Sequence, residues 1–113
     1  MDRDDHQKGA ANVFRALSAE SRVRIVRLLA KRTLCVGALS NLVGISAGAV
    51  SQHLRILKGA GLVEAERLGY FIHYRLAPGA AERCRAAMDS LFKSKEGDKG
   101  CAVRKRSARG RRP

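Results

Sequence analysis

The sequence has no run of apolar residues approaching the roughly 18 needed to cross a bilayer. Its opening, MDRDDHQKG, is acidic and polar where an export signal would be basic and then apolar. Both absences predict a cytoplasmic protein with no membrane partner. Cysteine is scarce: Cys35, Cys84 and Cys101 are odd in number and irregular in spacing. That excludes the even-numbered framework of a small secreted domain held by disulfides, and predicts free thiols in a reducing compartment. Acidic residues are also few, with 10 Asp and Glu against 23 Lys and Arg and a formal net charge of +13. The imbalance exceeds what solubility requires and predicts a polyanionic partner. No paired-carboxylate or nucleophile motif surrounds the three histidines, and there is no glycine-rich phosphate loop, so neither an enzyme nor a required cofactor is expected.

What is present suits one small domain. In 113 residues, 45% are hydrophobic, enough for a single core. From Lys93 onward nine basic residues stand against two acidic ones among glycines and few large apolar side chains. Such a segment cannot bury enough surface to offset the entropy of ordering it, so residues 93–113 read as a disordered basic arm. Residues 1–9 read as a flexible N-terminus and 10–92 as the folded unit.

Within that unit, AANVFRAL places Val13, Phe14 and Leu17 on one helical face. Ser18 offers a cap before AESRVRIVRLLAK, where Val23, Val26, Leu29 and Ala30 form the apolar stripe and Arg22, Arg24 and Arg27 face elsewhere. TLCVGALSNLVG is a shorter helix, with Thr33 as cap, Leu39, Leu42 and Val43 as its apolar face, and Gly44 as stop. Ser46 then caps a helix carrying Val50, Leu54 and Leu57. Helix, tight glycine turn and capped helix make a helix-turn-helix.

After Gly59 and Gly61 the period changes from about 3.6 to 2. LVEAER and YFIHYRL read as a β-hairpin turning at Gly69, with Ile72, Tyr74 and Leu76 toward the core. A last helix, AAERCRAAMDSLFKSK, carries Ala80, Cys84, Ala87, Met88, Leu91 and Phe92 in a stripe. The expected fold class is therefore mainly α with a small β-hairpin, a winged helix-turn-helix. The stripes of the first and last helices offer apolar surface for a homodimer.

A helix-turn-helix lays its second helix in the major groove of double-stranded DNA. The candidates for contact are Ser46, Ala47, Ser51, Gln52 and Arg55: serine can reach phosphate or base, Gln52 pairs with adenine, and Arg55 pairs with guanine or clamps a phosphate. At the tip of the hairpin, Arg67 and Tyr70 would reach the adjacent minor groove. His53, flanked by Val50 and Leu57 at helical spacing, reads as a residue bonded within the fold.

The segments FRALSAESRVRIVRLLA, LCVGALSNLVGISAGAVSQHLRILKGAGLV and AERLGYFIHYRL resemble the ArsR/SmtB family of winged-helix bacterial repressors over roughly residues 11–92. The run Ser51, Gln52, His53, Leu54 followed by LKGAGLV is its most specific part. The resemblance implies a DNA-binding homodimer, joined through its first and last helices and often released from its operator by a metal ion or metalloid.

The family's sensing sites transfer unevenly. Cys35-Val36-Gly37-Ala38 keeps the first cysteine of the family's C-V-C segment and lacks the second, and the zinc ligands of the last helix are replaced by Pro78, Ala80, Leu91 and Ser94. One route to a soft metal ion or metalloid effector is a three-thiolate set of Cys35, Cys84 and Cys101. Another is oxidation of Cys84, between Arg83 and Arg85, or of Cys101 near Arg104, since neighbouring cations favour thiolate. The alternative is a constitutive repressor with no metal site, in which Cys84 is a small core residue and Cys101 an incidental tail thiol. The rival from a different class is a sequence-blind basic protein that binds nucleic acid through its arm.

Overall fold

A computed structural model describes residues 3–93. The elements run α1 (Arg3–Ala16), α2 (Glu20–Leu29), β1 (Leu34–Cys35), α3 (Val36–Val43), α4 (Ala47–Gly59), β2 (Val63–Leu68), β3 (Phe71–Leu76) and α5 (Ala80–Phe92). The strands form one antiparallel sheet in the order β1-β3-β2. This is the expected winged helix-turn-helix, with α3 and α4 as its two helices and β2–β3 as its wing.

The helices start and stop for different local reasons. Ser46 caps α4 by accepting the Ala49 N–H at 3.1 Å, which satisfies one of the donors a helix start leaves open. Gly44 ends α3 in the left-handed region at φ 80°, where a side chain would be strained. Ser18 does not cap α2. Its hydroxyl instead donates to the Arg15 carbonyl at 2.8 Å in the last turn of α1, and Ala19 occupies the cap position of α2 without a side-chain bond. Thr33 likewise is no cap, because Leu34 and Cys35 leave the helical path to pair with Tyr74 and His73 on the open edge of β3. Helix α3 therefore begins one strand later than its pattern predicts.

Helix α1 begins at Arg3, so the boundary expected between residues 9 and 10 falls inside it. Residues 3–8 contain no proline, glycine or β-branched residue to stop a helix from running back to that point. The basic arm expected over 93–113 lies, beyond Lys93, outside the described residues.

The core collects Ile25 and Leu29 of α2, Leu39 and Val43 of α3, Val50, Leu54 and Leu57 of α4, and Leu62 and Val63 at the entry to β2. Burying each such side chain contributes roughly 1.5–3 kcal/mol before the entropy of ordering is subtracted. The inward stripe of α2 is thus Ile25 and Leu29, with Val26 half-buried, while Val23 and Ala30 are exposed. Val23 to Ala30 and Ile25 to Leu29 are both helical spacings, and the approach of α3 and α4 selects the second. Helices α1 and α5 pack on one side of this core, where Val13 and Ala87 are buried. Among the described residues, no helix is long and apolar enough to cross a membrane.

The wing pairs Val63 with Leu76 through to Leu68 with Phe71, leaving a two-residue turn of Gly69 and Tyr70. Gly69 takes φ 68°, the left-handed conformation that short hairpin turns need and glycine supplies without strain. Tyr74 and Leu76 are half-buried against the core as expected. Ile72 is not: it is exposed, because the hairpin has by then run past the edge of the helices.

Candidate nucleic-acid interface

Helix α4 divides its residues cleanly between two environments. Val50, Leu54 and Leu57 are buried, whereas Ser51, Gln52 and Arg55, together with Ser46 and Ala47 at the N-terminal end, are all exposed. Ser51 and Arg55, four residues apart, share one face, and Gln52 lies beside them. The Ser46 oxygen is committed to the cap, but its hydroxyl proton is still free to be donated outward. The open N–H groups and positive dipole end of α4 add an electrostatic preference for phosphate at the same place.

Two arginines of α2 brace the helix-turn-helix, Arg22 through α4 and Arg24 through α3. The Arg22 guanidinium donates to the Ala16 carbonyl at 2.9 Å and lies 2.9 Å from Nδ1 of His53 on α4, so one side chain ties the end of α1 to the recognition helix. Burial, and secondarily the Arg22 charge, lower the His53 pKa from its ordinary value near 6.5, which keeps the ring neutral and able to accept. His53 therefore has the in-fold role expected of it. Arg24 donates to the carbonyls of Leu42 and Val43 at 3.2 and 3.4 Å, fastening the last turn of α3. The sequence pattern only turns both arginines away from the apolar stripe. The one available hint was that arginine stems can cross apolar surface to reach a carbonyl or ring several residues away.

In the wing, Tyr70 stands at the turn and Arg67 is exposed beside it. Arg67 makes no ion pair among the described residues. Arg75, by contrast, is bound by Glu64 at 2.7 Å and Glu66 at 3.0 Å across β2–β3, and these carboxylates raise its pKa further. The sheet neutralises one of its arginines and leaves the other at its tip.

Among the described residues, Cys35 and Cys84 are not brought together. Cys35 is half-buried at the start of α3, opposite His73 in the sheet, while Cys84 is half-buried on α5 against the core. Cys101 lies outside the described residues. Among the described residues no three His, Cys, Asp or Glu side chains are placed to hold a metal ion. The expectation that Arg83 and Arg85 favour thiolate at Cys84 is reversed: burial raises its pKa more than the two cations lower it.

Residues 19–65, the span from the start of α2 into β2, match the bacterial regulatory protein, arsR family. The chain is 33% identical over 99 residues to the biofilm growth-associated repressor of Xylella fastidiosa, covering 85% of this chain and 87% of that protein. It is 40% identical over 73 residues to the transcriptional repressor SmtB homolog of Synechocystis, covering 65% of this chain and 55% of that protein. The chain thus spans about half the length of this second relative. The solution structure of a homodimeric winged helix-turn-helix DNA-binding domain from Mycobacterium bovis superposes with a TM-score of 0.64 at 31% identity, covering 79% of this chain and 87% of that one.

Proposed function

The chain belongs to the ArsR family of bacterial regulatory proteins, and from that premise we propose that it is a cytoplasmic transcriptional repressor that binds operator DNA as a homodimer. The observation that carries this reading is the exposed row of Ser51, Gln52 and Arg55 on a helix whose opposite side is fully committed to the core. Ser46 and Ala47 begin that helix at the groove, and Arg67 and Tyr70 follow the adjacent backbone. Met88, Leu91 and Phe92 of α5 are exposed, and a second copy meeting them would cover apolar surface that one chain leaves in water. Two α4 helices would then read half-sites about one helical turn apart.

Release by a soft metal ion or metalloid would need thiolates brought together. Cys35 and Cys84 sit on separate elements, and the Cys84 thiol is held protonated by burial. Cys35 and Cys84 alone do not make a soft-ion site, so such an effector would also draw on Cys101 or on thiolates of the second copy.

Fluorescence anisotropy on DNA from the gene's own promoter and on scrambled duplex, at two salt concentrations, tests the repressor reading. Strong preference for the promoter is expected, and equal, steeply salt-dependent binding to both would instead favour a sequence-blind basic protein. Gln52→Ala and Arg55→Ala should each remove about 1–3 kcal/mol of that preference if they touch bases. Repeating the titration with arsenite or Cd(II) on wild type and on Cys35→Ser and Cys84→Ser variants tests the effector: release that needs the thiols supports it.

A further inference from the structure

The tip of the wing is apolar on both of its faces, which is unusual for a strand end projecting into water. Leu68 is 46% exposed, Tyr70 96%, Phe71 64% and Ile72 42%. Register explains the arrangement: Leu68 pairs with Phe71 on one face as the last rung before the turn, and Arg67 pairs with Ile72 on the other. Farther down, on the same face as Leu68 and Phe71, Glu64 and Glu66 are both ion-paired with Arg75. The tip therefore presents a compact apolar edge accompanied by Arg67, which has no ion-pair partner among the described residues, while the carboxylates of β2 are held by Arg75 farther from the turn.

Resting on the reading of the chain as a DNA-binding protein, we propose that the Leu68–Phe71 rung is a wedge that enters the minor groove beside the recognition site and partly unstacks one base step, with Arg67 holding the flanking phosphate or groove floor. Apolar side chains used in this way open a step and kink the duplex. The kink costs least at the flexible TA and CA/TG steps and most in stiff A-tracts. The wing thereby selects operators by deformability at a position where it forms no base-specific hydrogen bond. The reading of the chain as a DNA-binding protein selects DNA over an anionic lipid surface, and the +13 charge with Arg67 disfavours a second copy of this chain.

The test uses the full chain and a promoter duplex whose protected region has been located by footprinting, with 2-aminopurine at the step under the wing and a donor–acceptor pair at the ends. Wild type should raise the 2-aminopurine fluorescence and shorten the end-to-end distance. A Leu68→Ser/Phe71→Ser variant, altered only at exposed positions, should still prefer the promoter but lose both signals. Independently of any variant, replacing a TA step at that position with an A-tract should weaken wild-type binding roughly five- to tenfold. Promoter-specific binding with a straight duplex and unchanged 2-aminopurine signal would overturn the wedge alone. Absence of any promoter preference would overturn the repressor reading and the wedge with it. A variant that keeps the kink but changes self-association, or loses binding to lipid vesicles, would assign the apolar tip to a protein or membrane contact instead.

Discussion

Helix α4 and the wing are joined by only a few residues, yet they treat their apolar side chains in opposite ways. In α4, Val50, Leu54 and Leu57 are buried and nearly everything between them is polar, so each side chain has an evident neighbour. In the wing, the core-facing alternation begins correctly at Val63 and Leu76 and then runs on past the core to Ile72, which is left in water, while Leu68 and Phe71 are exposed on the opposite face. A period identifies which residues share a face. It does not say how far the opposing surface extends, and that distance decides which of those residues are structural.

The sharpest way to break the comparison is to truncate one apolar side chain in each region. Leu57→Ala should leave a cavity beneath α4 and cost about 2–5 kcal/mol, whereas Phe71→Ala should cost less than about 1 kcal/mol, the scale of a cross-strand pair in water. Urea unfolding of both variants gives the measurement. Equal losses would mean that the wing tip is packed after all and that its apolar residues serve the fold.

The joint between the two regions should give the next largest effect. Gly61 lies between α4 and β2 with φ 79°, and a Cβ there would approach Nε of Arg83 to 2.8 Å. The arginine is flexible enough to move aside, but the left-handed backbone is not relieved by its departure. Gly61→Ala should therefore cost about 1–2 kcal/mol. An Arg83→Ala background should recover only the smaller, steric part, again read from unfolding midpoints.

At the other end of α4, Ser46→Ala removes a cap accepting one N–H bond and should cost about 1 kcal/mol of stability. Ser46→Asp should restore it, because a carboxylate caps as well as a hydroxyl. If the alanine variant loses promoter binding beyond what its stability predicts while the aspartate variant folds but fails to bind, the hydroxyl proton also meets DNA. That pair of results would separate the helix start from the exposed face that follows it.

How much of this could be read from the chain follows the same division. The order of helices, the helix-turn-helix and the hairpin were legible because Gly44, Ser46 and Gly69 act through local backbone physics, which the sequence carries by itself. The strand at Leu34–Cys35 was not, since a two-residue strand exists only because β3 offers an open edge. The inward stripe of α2 was ambiguous for a related reason: Ile25 and Val23 belong to two equally good helical patterns, and only the position of α3 and α4 chooses between them. For the candidate interface, the residues exposed on α4 followed from periodicity, whereas the Arg22–His53 contact joins residues on different helices and leaves no mark on spacing. The apolar wing tip was visible as composition but not as exposure.

His53 supplies the finest test of what holds α4, because it belongs neither to the buried stripe nor to the open face. Its folded-state pKa is lowered, first by burial and then by Arg22, so the native protein resists protonation that the unfolded chain accepts near pH 6.5. Stability from this contact is fully present above that pH and is lost as the pH falls through the lower, folded-state value. Wild type should weaken relative to His53→Gln as the pH is lowered below about 6.5, because glutamine can accept from Arg22 without titrating. Because the two proteins share every other ionisable group, their difference isolates this ring. The effect should be smaller than the loss of the cap, since the ring is only half-buried. Parallel pH curves would mean that Arg22 is held by the carbonyls of α1 alone and that the imidazole is a bystander.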